Sequence, residues 1–232
     1  MVPRWAARHE AGHAVLGAVF GFGTPRTIQV GRNGTGHLLI APNLVENARS
    51  QRRRVPAAIT LLAGYAAQWR HRWDRLTLEY EVLRLSRWLL VSEKNSVVPD
   101  WWRVNDFDQV AGLFSATLEK VRPCSPETLH ALWRLTCAVL RELDIWEAVE
   151  RLTTTILNGG GQPTRDAISC AIGDLASVSP DYLRSRGFPC TDSDPLPPDL
   201  VLPPLPPPLS PVQERQAILR RRLREMAKKA GS

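Results

Sequence analysis

Two histidines four residues apart, with a glutamate after the first, restrict this chain more than any other stretch: Arg8-His9-Glu10-Ala11-Gly12-His13-Ala14-Val15. In an α-helix, residues i and i+4 share a face one turn apart, so His9 and His13 can converge on a single metal ion, zinc above all. Glu10 lies about 100° further round, too far to be a ligand but placed to take a proton from water that the metal has acidified. That is the chemistry of amide hydrolysis. Ala11 and Gly12 suit a helix packed tightly beneath the metal, and a glycine inside a helix, which costs about 1 kcal/mol, calls for such a reason. Ala14, Val15, Leu16, Val19 and Phe20 continue the apolar pattern, and Gly21, Gly23 and Pro25 end it.

The 232 residues allow one full core and an appendage. No apolar run reaches the length of about 18 residues that a membrane helix needs, and no signal peptide precedes the metal motif, so no transmembrane segment is expected and a cytoplasmic location is the default. The four cysteines, Cys124, Cys137, Cys170 and Cys190, form no C-x-x-C pair and read as thiols, neither ligands nor disulfides. The net charge of +7 is unevenly placed, since residues 213–232 hold seven Lys/Arg against two Glu. Nucleic-acid or anionic-membrane contacts therefore concern the tail.

After the metal helix, Thr27-Ile28-Gln29-Val30, the turn Gly31-Arg32-Asn33-Gly34 and the run from Gly36 through His37 to Ile40 predict a β-hairpin. An exposed strand there can hold an extended peptide by main-chain pairing, which makes Ile28, Val30 and Gly36 candidate substrate-binding positions. His37 is a further histidine near the site, more simply read as structural. Residues 55–69 predict a second helix starting at Pro56, in which Gly64 implies a close approach by another group and Ala63, Ala66 and Ala67 permit backbone contact with the metal helix.

Three segments, His9-Glu10-Ala11-Gly12-His13-Ala14, the strand, turn and glycine of 28–36, and Leu62-Ala63-Gly64-Tyr65-Ala66-Ala67-Gln68, together resemble the peptidase domain of FtsH-type zinc proteases. In that family the third segment typically reads G-R-x-A-E-E, and an aspartate in an S-N-D-like segment completes the zinc site. Asn105-Asp106-Phe107 is similar to that segment, so the resemblance implies His9, His13 and Asp106 as Zn²⁺ ligands and Glu10 as general base. Asp108 is the competing third ligand. Glu79 or Glu81 would suit a two-histidine, one-glutamate site but has no local motif. The likeness extends over about residues 4–175, through a paired helical segment at 129–157 and a short helix at 164–175. The family's ATPase module and membrane helices are missing, which implies action on flexible or already unfolded polypeptide, or help from a separate ATPase or unfoldase. Residues 70–104 are longer than the family's loop and carry Trp73, Trp88, Trp101 and Trp102, read as packing in preference to a lid.

From Pro189 the composition changes, with ten prolines in residues 189–211. The expected organisation is a zinc metallopeptidase-like domain over 1–188, a proline-rich linker over 189–212 and a basic amphipathic helix over 213–232, able to self-associate or meet an anionic partner. The expected fold is mainly α, a helical FtsH-like domain with one small β-hairpin. The expected activity is zinc-dependent peptide-bond hydrolysis of a polypeptide substrate. Two rivals stand beside it: a non-catalytic interaction protein of the same fold, and a regulatory H-E-x-x-H protease that cleaves a repressor, which would want an acidic, alanine-rich segment not found here.

Overall fold

The architecture follows from a computed structural model that describes residues 1–39, 52–70, 106–114, 126–173 and 180–196, with Leu44, Ala48 and Leu175. The fold is mainly helical with one antiparallel hairpin, as the sequence predicts. In chain order come α1 (Arg4–Val19), β1 (Thr27–Val30), β2 (Gly36–Leu39), α2 (Arg54–Gln68), α3 (Asp106–Phe114), α4 (Pro126–Arg141), α5 (Leu143–Asn158), α6 (Arg165–Ile172) and α7 (Pro180–Ser185). The basic segment 213–232, residues 71–105 with Glu79 and Glu81, and the side chains of His37 and Asp108 lie outside the described residues.

Helix α1 is buried nearly all round from Ala6 to Val19, the behaviour of a central helix that has no solvent face. Pro3 sits just before it in extended conformation, and its carbonyl accepts from the amides of Ala6 and Ala7. Helix α2 packs along α1 in the opposite direction, since Thr60 near its start meets His13 and Gln68 at its end meets His9. Small residues make this possible. A Cβ on Gly12 would lie 2.5 Å from the Ala63 carbonyl oxygen and 2.9 Å from the Ala67 Cβ, so only glycine lets the backbones come this near. On the outer sides of this pair, α5 covers α1, while α3 and α4 cover α2. The interior they share includes Leu16, Ile59, Leu62, Leu113, Leu132, Leu140, Ile145, Leu152 and Ile156.

The hairpin pairs Val30 with Gly36, Gln29 with His37, Ile28 with Leu38 and Thr27 with Leu39. Its turn is held by the Asn33 Oδ1, which accepts from the Thr35 amide and hydroxyl, and the ring of Trp5 packs on Gly34 to seat it against α1. Ile28 and Val30 turn their side chains into the core. The Val30 amide donates to the Gly161 carbonyl at 2.9 Å, which fastens the end of α5 to the free side of β1. The paired helical segment expected over 129–157 is α4 and α5, divided at Glu142, whose ψ of 127° is not helical.

The C-terminal part of the described chain closes on the start of α2. Leu183, Phe188 and Cys190 are buried. The Asp192 carboxylate accepts from Arg54 Nε at 2.7 Å and from the Val55 amide at 3.2 Å, while its own amide donates to the Arg52 carbonyl at 2.7 Å. Asp194 organises the turn behind it, accepting from the amides of Cys190 and Thr191 and from Arg184 Nε. Residues 189–196, where the linker is expected to begin, therefore pack against the helical body. Both charges of the Arg54–Asp192 pair are nearly excluded from solvent, so removing Asp192 takes a buried charge partner from Arg54. Asp192→Ala should destabilise the fold by about 3–5 kcal/mol, read from urea denaturation; a loss within about 0.5 kcal/mol would show that the pair contributes nothing beyond a surface contact.

Candidate metal centre

Helices α1, α2 and α3 meet at His9, His13 and Asp106. His9 and His13 project from one face of α1, as their spacing requires, and Asp106, the first residue of α3, reaches both. The three donor atoms form a nearly equilateral triangle. His9 Nε2 and His13 Nε2 are 3.1 Å apart, and Asp106 Oδ2 is 3.2 Å from each. Two bonds of about 2.05 Å at a tetrahedral angle would hold their donor atoms roughly 3.3 Å apart, so the triangle has the dimensions of three corners around one zinc ion. Two imidazoles and one carboxylate are also a zinc-type donor set that leaves a fourth position open. Among the described residues this is the one group of His, Cys, Asp and Glu side chains that can hold a metal ion. Cys137 and Cys190 are buried free thiols and Cys170 an exposed one; burial pushes the Cys137 thiol up to about 12.

Helix α2 supplies the surroundings of the triangle. Thr60, Gly64 and Gln68 recur at i, i+4 and i+8, one stripe facing the two histidines. The Thr60 carbonyl lies 2.8 Å from His13 Nδ1, and the Gln68 amide oxygen lies 3.3 Å from His9 Nδ1. Each imidazole thus has a partner for its outer nitrogen, which leaves Nε2 to the centre. Gly64 stands between these partners. A Cβ there would overlap His13 Nε2 and lie 2.7 Å from His9 Nε2, so the glycine keeps open the space in which the donors converge. The Tyr65 ring packs edge-on against His9, with centroids 4.7 Å apart at 89°, and meets Trp69 in turn in a tilted contact, with centroids 5.5 Å apart.

The electrostatics point the same way. Burial opposes a charge on His13, but the Asp106 carboxylate outweighs it by charge and by hydrogen bond, with Glu10 and the Thr60 carbonyl adding to it, and the imidazole rises from 6.5 to about 9. Burial alone would raise Asp106, yet His13 first and then His9 hold its carboxyl well below the ordinary carboxylate range. The pocket therefore favours positive charge among its three donors.

Glu10 follows the first ligand on α1 and is buried against the hairpin. A methyl group on Gly36 would overlap the Glu10 carboxylate, so the first residue of β2 lies directly on it. Of the hairpin positions expected to meet substrate, Gly36 is at the site, whereas the side chains of Ile28 and Val30 belong to the core and the Val30 amide is taken by the Gly161 carbonyl. Asp106 is brought to the histidines. Sequence reasoning missed Thr60, Tyr65 and Gln68; the stripe formed with Gly64 was the signal for two of them.

No protein-family model, no curated protein and no solved structure matches this chain. If Gly64 keeps the donor space open, Gly64→Ala should lower zinc content from about one per chain to near zero while the far-UV circular dichroism stays helical. An alanine variant that binds zinc as the wild type does would contradict the cradle described here.

Proposed function

We propose that this chain is a zinc-dependent metallopeptidase, and that its resemblance to FtsH-type peptidase domains reflects a shared chemistry. The observation that carries the proposal is the donor triangle of His9, His13 and Asp106, with a buried carboxylate, Glu10, one residue beyond the first ligand. Bound there, zinc would supply Lewis acidity to water and to the carbonyl under attack.

Glu10 acts as the general base, taking a proton from the attacking water and passing it to the leaving amine as the C–N bond breaks. His9 and His13 are held in the ligating orientation by Gln68 and the Thr60 carbonyl. Asp106 balances part of the metal's charge. The hairpin offers the means to present a peptide. The Gly31 amide bonds to the Thr35 carbonyl, which fixes the alternation along the ladder and turns the main-chain amides of Gly36 and Leu38 away from β1. An extended segment pairing with that outer edge would pass beside Glu10. Such pairing requires a main chain free of its own secondary structure, so flexible or unfolded polypeptide is the proposed substrate class. None of the described helices is long and apolar enough to cross a membrane.

Glu10→Gln keeps the size of the side chain but removes the base. Against a mixture of unstructured peptides, its kcat should fall by about 10²–10⁴ with zinc content unchanged. Wild-type turnover by this variant would rule out the mechanism.

A further inference from the structure

The two histidines are not held alike, and the difference has a chemical consequence. His13 Nδ1 faces a main-chain carbonyl, that of Thr60, at 2.8 Å. A carbonyl can only accept, so His13 carries a proton on Nδ1 in every state, and with a metal bound its Nε2 lone pair would be directed at the centre. His9 Nδ1 faces the side-chain amide of Gln68. An amide offers oxygen on one side and an NH₂ on the other, and a half-turn about its terminal bond exchanges them. With the oxygen inward, His9 carries its proton on Nδ1 and presents a lone pair to the metal. With the NH₂ inward, Nδ1 becomes the acceptor and the proton moves to Nε2, 3.2 Å from Asp106 Oδ2, where it can be donated to the carboxylate. Both ring nitrogens of His9 then have a partner with the metal and without it. A glutamate at the same place could only accept and would serve the metal-holding arrangement alone.

We propose that Gln68 is a positioning residue that sets the tautomer of His9 and, by serving either tautomer, makes the metal readily exchangeable. The inference rests on the metal-centre reading above. The surroundings suit this role. Gln68 is the last residue of α2, half-buried beside the site, so its amide has room to turn. The His9 ring itself is pinned by the perpendicular Tyr65 ring, so the adjustment falls to the amide and not to the imidazole. Thr60 allows no such adjustment, which makes His9 the exchange-limiting ligand.

The test compares the full-length wild type with Gln68→Glu and Gln68→Ala. Zinc affinity is measured by competition with a chromophoric chelator, and the release rate by transfer to excess chelator. Gln68→Ala should bind zinc about 10–100-fold more weakly. Gln68→Glu should restore affinity at least to the wild-type level and release zinc about tenfold more slowly, because its metal-free form lacks one hydrogen bond. Rescue by glutamate is what a merely structural role of the side chain would not produce. Wild-type affinity in Gln68→Ala, or wild-type release in Gln68→Glu, overturns the proposal while leaving the zinc centre standing. A wild-type chain that binds no zinc overturns both. Should Gln68→Ala fail to fold, the release rate of Gln68→Glu still decides, since that variant keeps the length and the acceptor.

Discussion

The close crossing of α1 and α2 is the contact on which the rest depends. Gly12 removes the side chain that would keep the two backbones apart, Ala63 and Ala67 occupy the space it yields, and Gly64 then comes to lie against the inner nitrogens of both histidines. A helix pair separated by larger side chains would stand further apart and lose the hydrogen bonds from the outer nitrogens to Thr60 and Gln68. The same contact sets register. A rise of 1.5 Å per residue means that a slip of α2 by a single residue would carry Thr60, Gly64 and Gln68 off their partners together. The Arg54–Asp192 pair and the capping of the Val55 amide, at the far end of α2, act on the helix that must not slip.

What that crossing produces is an electrostatic problem with one economical solution. Two imidazole nitrogens and a carboxylate oxygen converge to 3.1–3.2 Å, and the outer nitrogen of each imidazole already has its partner. Three electron-rich atoms this close, largely out of water, need positive charge between them. A proton can bridge only two. A divalent cation could satisfy all three, and it is the Asp106 carboxylate above all that raises the His13 imidazole against the effect of burial.

Much of this was legible in the residues. The i, i+4 spacing of His9 and His13 fixed their common face, and β-branched alternation ended by Gly31-Arg32-Asn33-Gly34 marked the hairpin with its register-setting turn. Gly64 announced a close approach without saying to what. Asp106 came from resemblance and not from spacing, because nearly one hundred residues separate it from His13 and no local pattern encodes that contact. The Thr60 contact was hidden for a different reason: it uses a main-chain carbonyl, which any residue provides. Gln68 appeared only within the family-like segment ending α2, and the antiparallel packing of α2 is what sets it beside His9. The attachment of residues 189–196 was masked by composition, since proline enrichment signals a lack of regular structure and says nothing about whether an irregular segment packs.

X-ray absorption at the zinc edge tests the central claim most directly, because it reads the ligand atoms without requiring a substrate. The full chain loaded with one equivalent of zinc should show two imidazole nitrogens and further oxygen scatterers at about 2.0–2.2 Å, with the imidazole contribution reduced in His13→Ala. Sulfur scatterers near about 2.3 Å, or a spectrum unchanged by the loss of His13, would place the metal elsewhere and contradict the account.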